Sequence, residues 1–275
     1  MEGDRLTIIV LAYSRIDNVK KTVKSFNNCL FKDLRLVILL DREHESSLSL
    51  KLSNYCKKYN VELEITGGLG HDLNYKKALI GYKNSTWKWI VNDSIILDFE
   101  ILKYIRTNIT NKESYDCIFL SESIGLLGHD PIWYATRTGW TILKNNFINY
   151  NFVSESSFKN FPQLSVFNKD YKFAELRAKL FVNKSTNSYW LEDFWSTWYI
   201  DFVSALYKLD YNYKTIKQTC VLHARRNGFF ALISMMKWPE SFYLKFSKEY
   251  YKYMSCYQIL IFKIFYKLKK IYNKI

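Results

Sequence analysis

The chain has 275 residues, enough for one large α/β domain or a domain with a small appendage. Hydrophobic residues make up 48%, with three prolines and nine glycines, which excludes a disordered chain and leaves little room for a flexible linker. Against 26 Asp and Glu stand 40 Lys and Arg, a net charge of +14 that suits an anionic partner such as nucleic acid, an anionic membrane or a phosphorylated substrate.

In chain order, Thr7–Tyr13 is a short apolar, β-branched run that predicts a buried strand. Asp17–Leu30 predicts a helix, with Val19, Val23 and Phe26 on one face and Asp17 as its cap. Arg35–Asp41 predicts a second buried strand. Ser46–Tyr59 predicts a helix with Leu48, Leu52, Tyr55 and Cys56 on one face. Val61–Thr66 predicts a third strand, closed by Gly67, Gly68 and Gly70; this glycine cluster lacks the spacing of a phosphate loop and predicts a turn. A short helix over Leu73–Tyr82 and a strand over Trp87–Val91 follow. Further on, Cys117–Ser121, Trp133–Leu143 and Thr219–His223 predict strands, Leu191–Leu209 an aromatic-rich amphipathic helix, and the residues from Phe229 onward more helix.

Strand and helix alternating in this way predict a doubly wound, mostly parallel sheet, in which ligands sit beyond the C-terminal ends of the strands. Ser14-Arg15, Asp41 and Asn92-Asp93 close the first, second and fourth strands, and are expected on one rim. The cysteines, Cys29, Cys56, Cys117, Cys220 and Cys256, are odd in number and form no CxxC pair, which argues against a disulfide framework or structural zinc and for a reducing compartment. Acidic Glu2 and Asp4 precede the first apolar run, unlike a signal peptide, and no apolar stretch reaches the ~18 residues of a membrane span. A cytoplasmic protein is expected.

Five features resemble family 2 glycosyltransferases and occur in that family's order across roughly residues 5–225. They are the opening TIIVLAYSRIDNVKKTVKSF; Asp41 ending the second strand; Val91-Asn92-Asp93-Ser94, similar to an Asp-x-Asp motif, ending the fourth; Glu192-Asp193 opening an aromatic-rich helix; and His223 ending a late strand. The resemblance implies a GT-A fold over 1–228, with a basic helical tail over 229–275. It implies transfer of a sugar from a nucleotide-diphosphate sugar to a glycan or lipid-linked acceptor, with inversion, as in bacterial surface polysaccharide or lipopolysaccharide assembly.

The resemblance also distributes roles. Asp193 is the base that takes the acceptor proton, and Glu192 orients it or contacts the acceptor. Asp93 and His223 hold Mn2+ or Mg2+ and the diphosphate. Asp41 meets the base or ribose, while Ser14, Arg15, Asn92 and Arg225 line the donor site. Physically, a diphosphate leaving group needs positive charge beside it, and guanidinium groups suit phosphate. Trp190, Phe194, Trp195 and Trp198 around Asp193 offer faces on which a sugar ring stacks, in a setting that raises a carboxyl pKa. One departure stands out: Val91 occupies the place of the motif's first Asp, so a single carboxylate survives there.

From Phe229 to Ile275 there are nine Lys and two Glu, half of the chain's net charge. Tyr257, Leu260, Ile261, Ile264, Phe265, Leu268, Ile271 and Tyr272 recur at helical spacing, with Lys263, Lys267, Lys270 and Lys274 between them. Such a helix suits the interfacial plane of an anionic membrane, and equally a helix packed on the catalytic domain with solvated lysines. Two rival classes are an inactive glycosyltransferase-like protein and a basic nucleic-acid-binding protein; no RNA-binding motif is present, and nucleic acid is not the expected partner.

Overall fold

The computed structural model describes residues 4–29, 31–121, 132–135, 138–151, 162–167 and 170–182, and positions 202, 205–206, 209–210, 256, 259–261, 263–264 and 266–267. The elements are β1 (Leu6–Ala12), α1 (Ile16–Asn28), β2 (Leu34–Leu40), α2 (Ser47–Lys58), β3 (Glu62–Ile65), α3 (His71–Ile80), β4 (Trp87–Asn92), β5 (Ile95–Ile96), α4 (Phe99–Ile109), β6 (Cys117–Ser121), α5 (Ile132–Ala135), β7 (Thr141–Lys144), β8 (Phe173–Arg177) and β9 (Phe181–Val182).

Seven strands form one sheet in the order β3-β2-β1-β4-β7-β6-β8, and β5 pairs with β9 apart from it. Strands β3, β2, β1 and β4 run parallel. Strand β7 is antiparallel to β4 and to β6, while β8 is parallel to β6, so β7 alone runs against the rest. The α/β, mostly parallel sheet expected from the alternation is therefore present.

Alternation along β1 sends Leu6, Ile8 and Val10 to one face, where they join Leu36 and Ile38 of β2, Trp87 and Trp89 of β4, and the buried stripes of α1, α2 and α4. Because both faces are covered, β1 is buried along its whole length and reads as a continuous apolar run. On the opposite face α3 packs against β1, β4 and the 3-10 segment Pro162–Phe167.

Three local readings are corrected. Asp17 does not cap α1: the N-cap is Arg15, without a side-chain cap, and Asp17 lies in the first turn with its side chain 92% exposed. The run Trp133–Leu143 is not one strand. It holds α5 and the start of β7, separated by Gly139 at φ 94. That backbone favours glycine, and a Cβ there would overlap Ile95 Cδ1. Helix α3 begins at His71, right after Gly70 at φ 85, two residues before the expected Leu73. Helix α4 is an addition to the expected elements. Asp98 caps it by accepting from Ile101 N at 2.9 Å, and Leu102, Ile105 and Ile109 face the core.

The chain separates into two compact units, Met1–Thr186 and Asn187–Ile275. The expected boundary at 228/229 falls outside the described residues. In the second unit Phe202, Ala205 and Leu206 are helical and buried, within the expected helix Leu191–Leu209. The expected strand Thr219–His223 lies outside the described residues. In the tail, positions 256, 259–261, 263–264 and 266–267 are helical. Among the described residues no helix is long and apolar enough to cross a membrane.

Candidate functional site

Register brings the first half of the expected site together. Ala12 pairs with Leu40, and Leu11 with Asn92. The ladder continues past the strands: Asp41 N donates to Ala12 O at 2.8 Å, and Asp93 N to Leu11 O at 3.0 Å. Asp41 and Asp93 thus flank the loop Tyr13–Arg15 that links β1 to α1, on the rim where a doubly wound sheet binds ligands.

Asp93 is 4% exposed, and its carboxylate faces that loop. Oδ2 accepts the backbone N–H of Tyr13 at 2.9 Å, of Ser14 at 2.9 Å and of Arg15 at 3.0 Å. Oδ1 accepts Arg15 Nη1 at 3.1 Å. Asn18 Nδ2 donates to the Asp93 carbonyl at 3.0 Å, tying the end of β4 to α1. A carboxylate supplies about four lone-pair sites, and four N–H donors meet this one.

Asp41, 8% exposed, turns to the glycine segment. Oδ2 accepts Gly70 N at 3.1 Å, and Oδ1 accepts the Thr66 hydroxyl at 3.5 Å. Gly67, Gly68 and Gly70 all have positive φ, so the cluster is a turn that only glycine enters without strain. Arg42, next in the chain, donates from Nε to Tyr13 O at 3.0 Å. Its guanidinium lies 4.2 Å from the centre of the Tyr13 ring. Tyr13 (39% exposed), Leu69 (43%) and Leu73 (55%) give this rim apolar surface.

Ser14 and Arg15 line a groove of about 400 Å³ whose other walls include Asp17, Lys20, Leu48 and Lys51. Of its charges, Arg15 pairs with Asp93 at 3.1 Å and Lys20 lies 4.0 Å from Asp17, while Lys51 adds a further cation to the wall. The sequence motifs single out neither Lys20 nor Lys51; they meet because α1 and α2 pack side by side. Asn92 Oδ1 accepts Ser94 N at 3.2 Å and also meets the Ser94 hydroxyl.

Glu192, Asp193, His223 and Arg225 lie outside the described residues. Mn2+ or Mg2+ asks for free oxygen ligands at about 2.0–2.2 Å. Among the described residues no three His, Cys, Asp or Glu groups converge to hold an ion, and the lone pairs of Asp93 face N–H donors. The described residues do not fit a metal.

No protein-family model and no characterised protein sequence matches the chain. Solved structures do. Residues 1–349 of TarS from S. aureus superpose with a TM-score of 0.57 at 14% identity, over 84% of this chain and 79% of that one. The same fragment in complex with UDP-GlcNAc gives 0.53 at 14% identity, over 84% and 80%. The mannosyltransferase PcManGT from Pyrobaculum calidifontis, in complex with GDP-Man and Mn2+, gives 0.56 at 9% identity, over 99% of this chain and 90% of that one. Likeness at such low identity establishes the fold: an α/β, mostly parallel GT-A-like sheet with helices.

Proposed function

We propose that the chain is a glycosyltransferase that takes a sugar from a nucleotide-diphosphate donor. The observation that supports this most is the rim itself. In a GT-A-like fold, the ends of β1, β2 and β4 bring Asp41, Asp93 and the Tyr13–Arg15 loop together beside a basic groove. Asp41 and the exposed Tyr13 serve the nucleoside, and Ser14, Arg15 and Asn92 the donor phosphates. The family resemblance assigns Arg225 and His223 to the diphosphate.

In this reading the acceptor oxygen attacks the anomeric carbon and forms the new C–O bond. The bond from that carbon to the diphosphate breaks with inversion, and the nucleoside diphosphate leaves with the electron pair. The acceptor proton passes to the Asp193 carboxylate, and Glu192 orients it. Cationic side chains stabilise the charge growing on the leaving oxygen.

The acceptor in this proposal is a glycan or a lipid-linked glycan of bacterial surface polysaccharide assembly, and the protein sits peripherally at the cytoplasmic face of the membrane. Four described tail residues support that placement: Leu260 is 58% and Ile264 51% exposed, one turn apart, with exposed Lys263 and Lys267 beside them.

A panel of nucleotide sugars, screened by calorimetry and by product formation, tests the proposal. Asp193→Asn is expected to retain donor binding and lose transfer by roughly 10²–10⁴-fold, the usual contribution of a positioned base. Failure of every nucleoside diphosphate to bind ends the reading. Normal turnover by the variant removes Asp193 as base.

A further inference from the structure

The motif Val91-Asn92-Asp93-Ser94 occupies the place where a metal-binding turn is expected, yet its one carboxylate points into the β1–α1 loop. Oδ2 gathers three consecutive backbone N–H groups within 3.0 Å. An ion bonded to that oxygen would have to displace those three donors from their part-buried bonds to the carboxylate. Oδ1 is covered by the Arg15 guanidinium at 3.1 Å, a positive charge where a second would have to approach. The backbone of Asp93 is fixed from both sides, by its N–H on Leu11 O and by Asn18 on its carbonyl, so the register of β4 delivers the carboxylate to this loop.

We infer that Asp93 is a positioning residue: its carboxylate pins Tyr13, Ser14 and Arg15 into an N–H cradle, and a divalent ion, where one accompanies the donor, is held without it. Two things follow from the pin. It presents the Arg15 guanidinium at the edge of the groove shared with Lys20 and Lys51, and it presets the loop that carries Ser14. The pin stands on geometry alone; its effect on donor affinity rests on the function proposed above.

The test is peptide-resolved hydrogen exchange on the full chain, wild type and Asp93→Asn, together with binding of Mn2+ alone and of UDP and GDP in EDTA. Asn keeps the shape and removes the charge. The amides of residues 13–15 in the wild type are expected to keep their protection when Mn2+ is added. In Asp93→Asn they exchange roughly tenfold or more faster, since hydrogen bonds to a charged acceptor are the strong ones. Mn2+ affinity stays within about twofold of wild type, and nucleotide affinity in EDTA falls roughly tenfold. Loss of protection at 13–15 on adding Mn2+ to the wild type overturns the inference. So does a tenfold loss of Mn2+ affinity in a variant whose amides stay protected. If neither nucleotide binds the wild type, the proposed function falls, while the exchange contrast still judges the pin.

Discussion

Lys88 tests how burial and hydrogen bonding compete in this fold. It lies on β4 and is fully buried. Its ammonium donates to Leu79 O and to Gly81 O, both at 2.6 Å, and so caps the carbonyl end of α3, where a cation meets the favourable end of the helix dipole. Burial, with a smaller push from Lys83, drives its pKa down from 10.5 to about 7. The unfolded chain therefore binds one proton more than the folded chain between pH 7 and 10.5, and stability from this group rises with pH across that window. Each unit corresponds to about 1.4 kcal/mol, so between pH 7 and pH 10 the wild type gains up to ~4 kcal/mol over a variant lacking the amine. Lys88→Met is that variant. Burial pushes Tyr75, Tyr82, Cys29 and Cys56 the other way, which lowers stability in alkali, but both proteins share that background and it cancels in the difference. Urea unfolding at fixed ionic strength, at pH steps from 6 to 10, reads the effect. Parallel profiles for wild type and Lys88→Met would refute the reasoning and show that the two carbonyls keep the amine charged throughout.

Gly139→Ala is expected to cost about 1–3 kcal/mol in thermal or urea unfolding, since it combines a left-handed backbone with overlap on Ile95; a loss below ~0.5 kcal/mol would mean that the turn between α5 and β7 yields freely. For the tail, the full chain should co-sediment with phosphatidylserine-containing vesicles and far less with neutral ones, and Leu260→Asp with Ile264→Asp should abolish it, because about 1 kcal/mol per basic residue adds to the buried apolar area. Equal binding to neutral vesicles, or none to anionic ones, would remove the membrane from the proposal.

Much of the first unit was legible because its signals are local. The apolar runs of β1, β2 and β4 announce strands covered on both faces, and the stripes of α1 and α2 announce their buried sides. Helix α4 carried equally local signals, with Asp98 before it and Leu102, Ile105 and Ile109 at helical spacing. The run Trp133–Leu143 misled because its hydrophobicity is continuous while its backbone bends at Gly139, where the close approach that leaves no room for a Cβ comes from Ile95, a residue of another element. Arg42 and Lys51 carry no motif, and Lys20 lies in the opening motif without a role assigned to it; their places on the rim and in the groove come from the packing of neighbouring elements.

By itself the sequence determined which segments of residues 1–92 become strands and helices, and that the polar residues closing β1, β2 and β4 share one edge, since periodicity and strand direction are properties of short stretches. Only the tertiary structure decided what those residues touch. A carboxylate reads the same on paper as a ligand or as a pin; the difference lies in which donors reach its lone pairs, and for Asp93 these come from a loop 80 positions earlier, brought there by the pairing of β1 with β4.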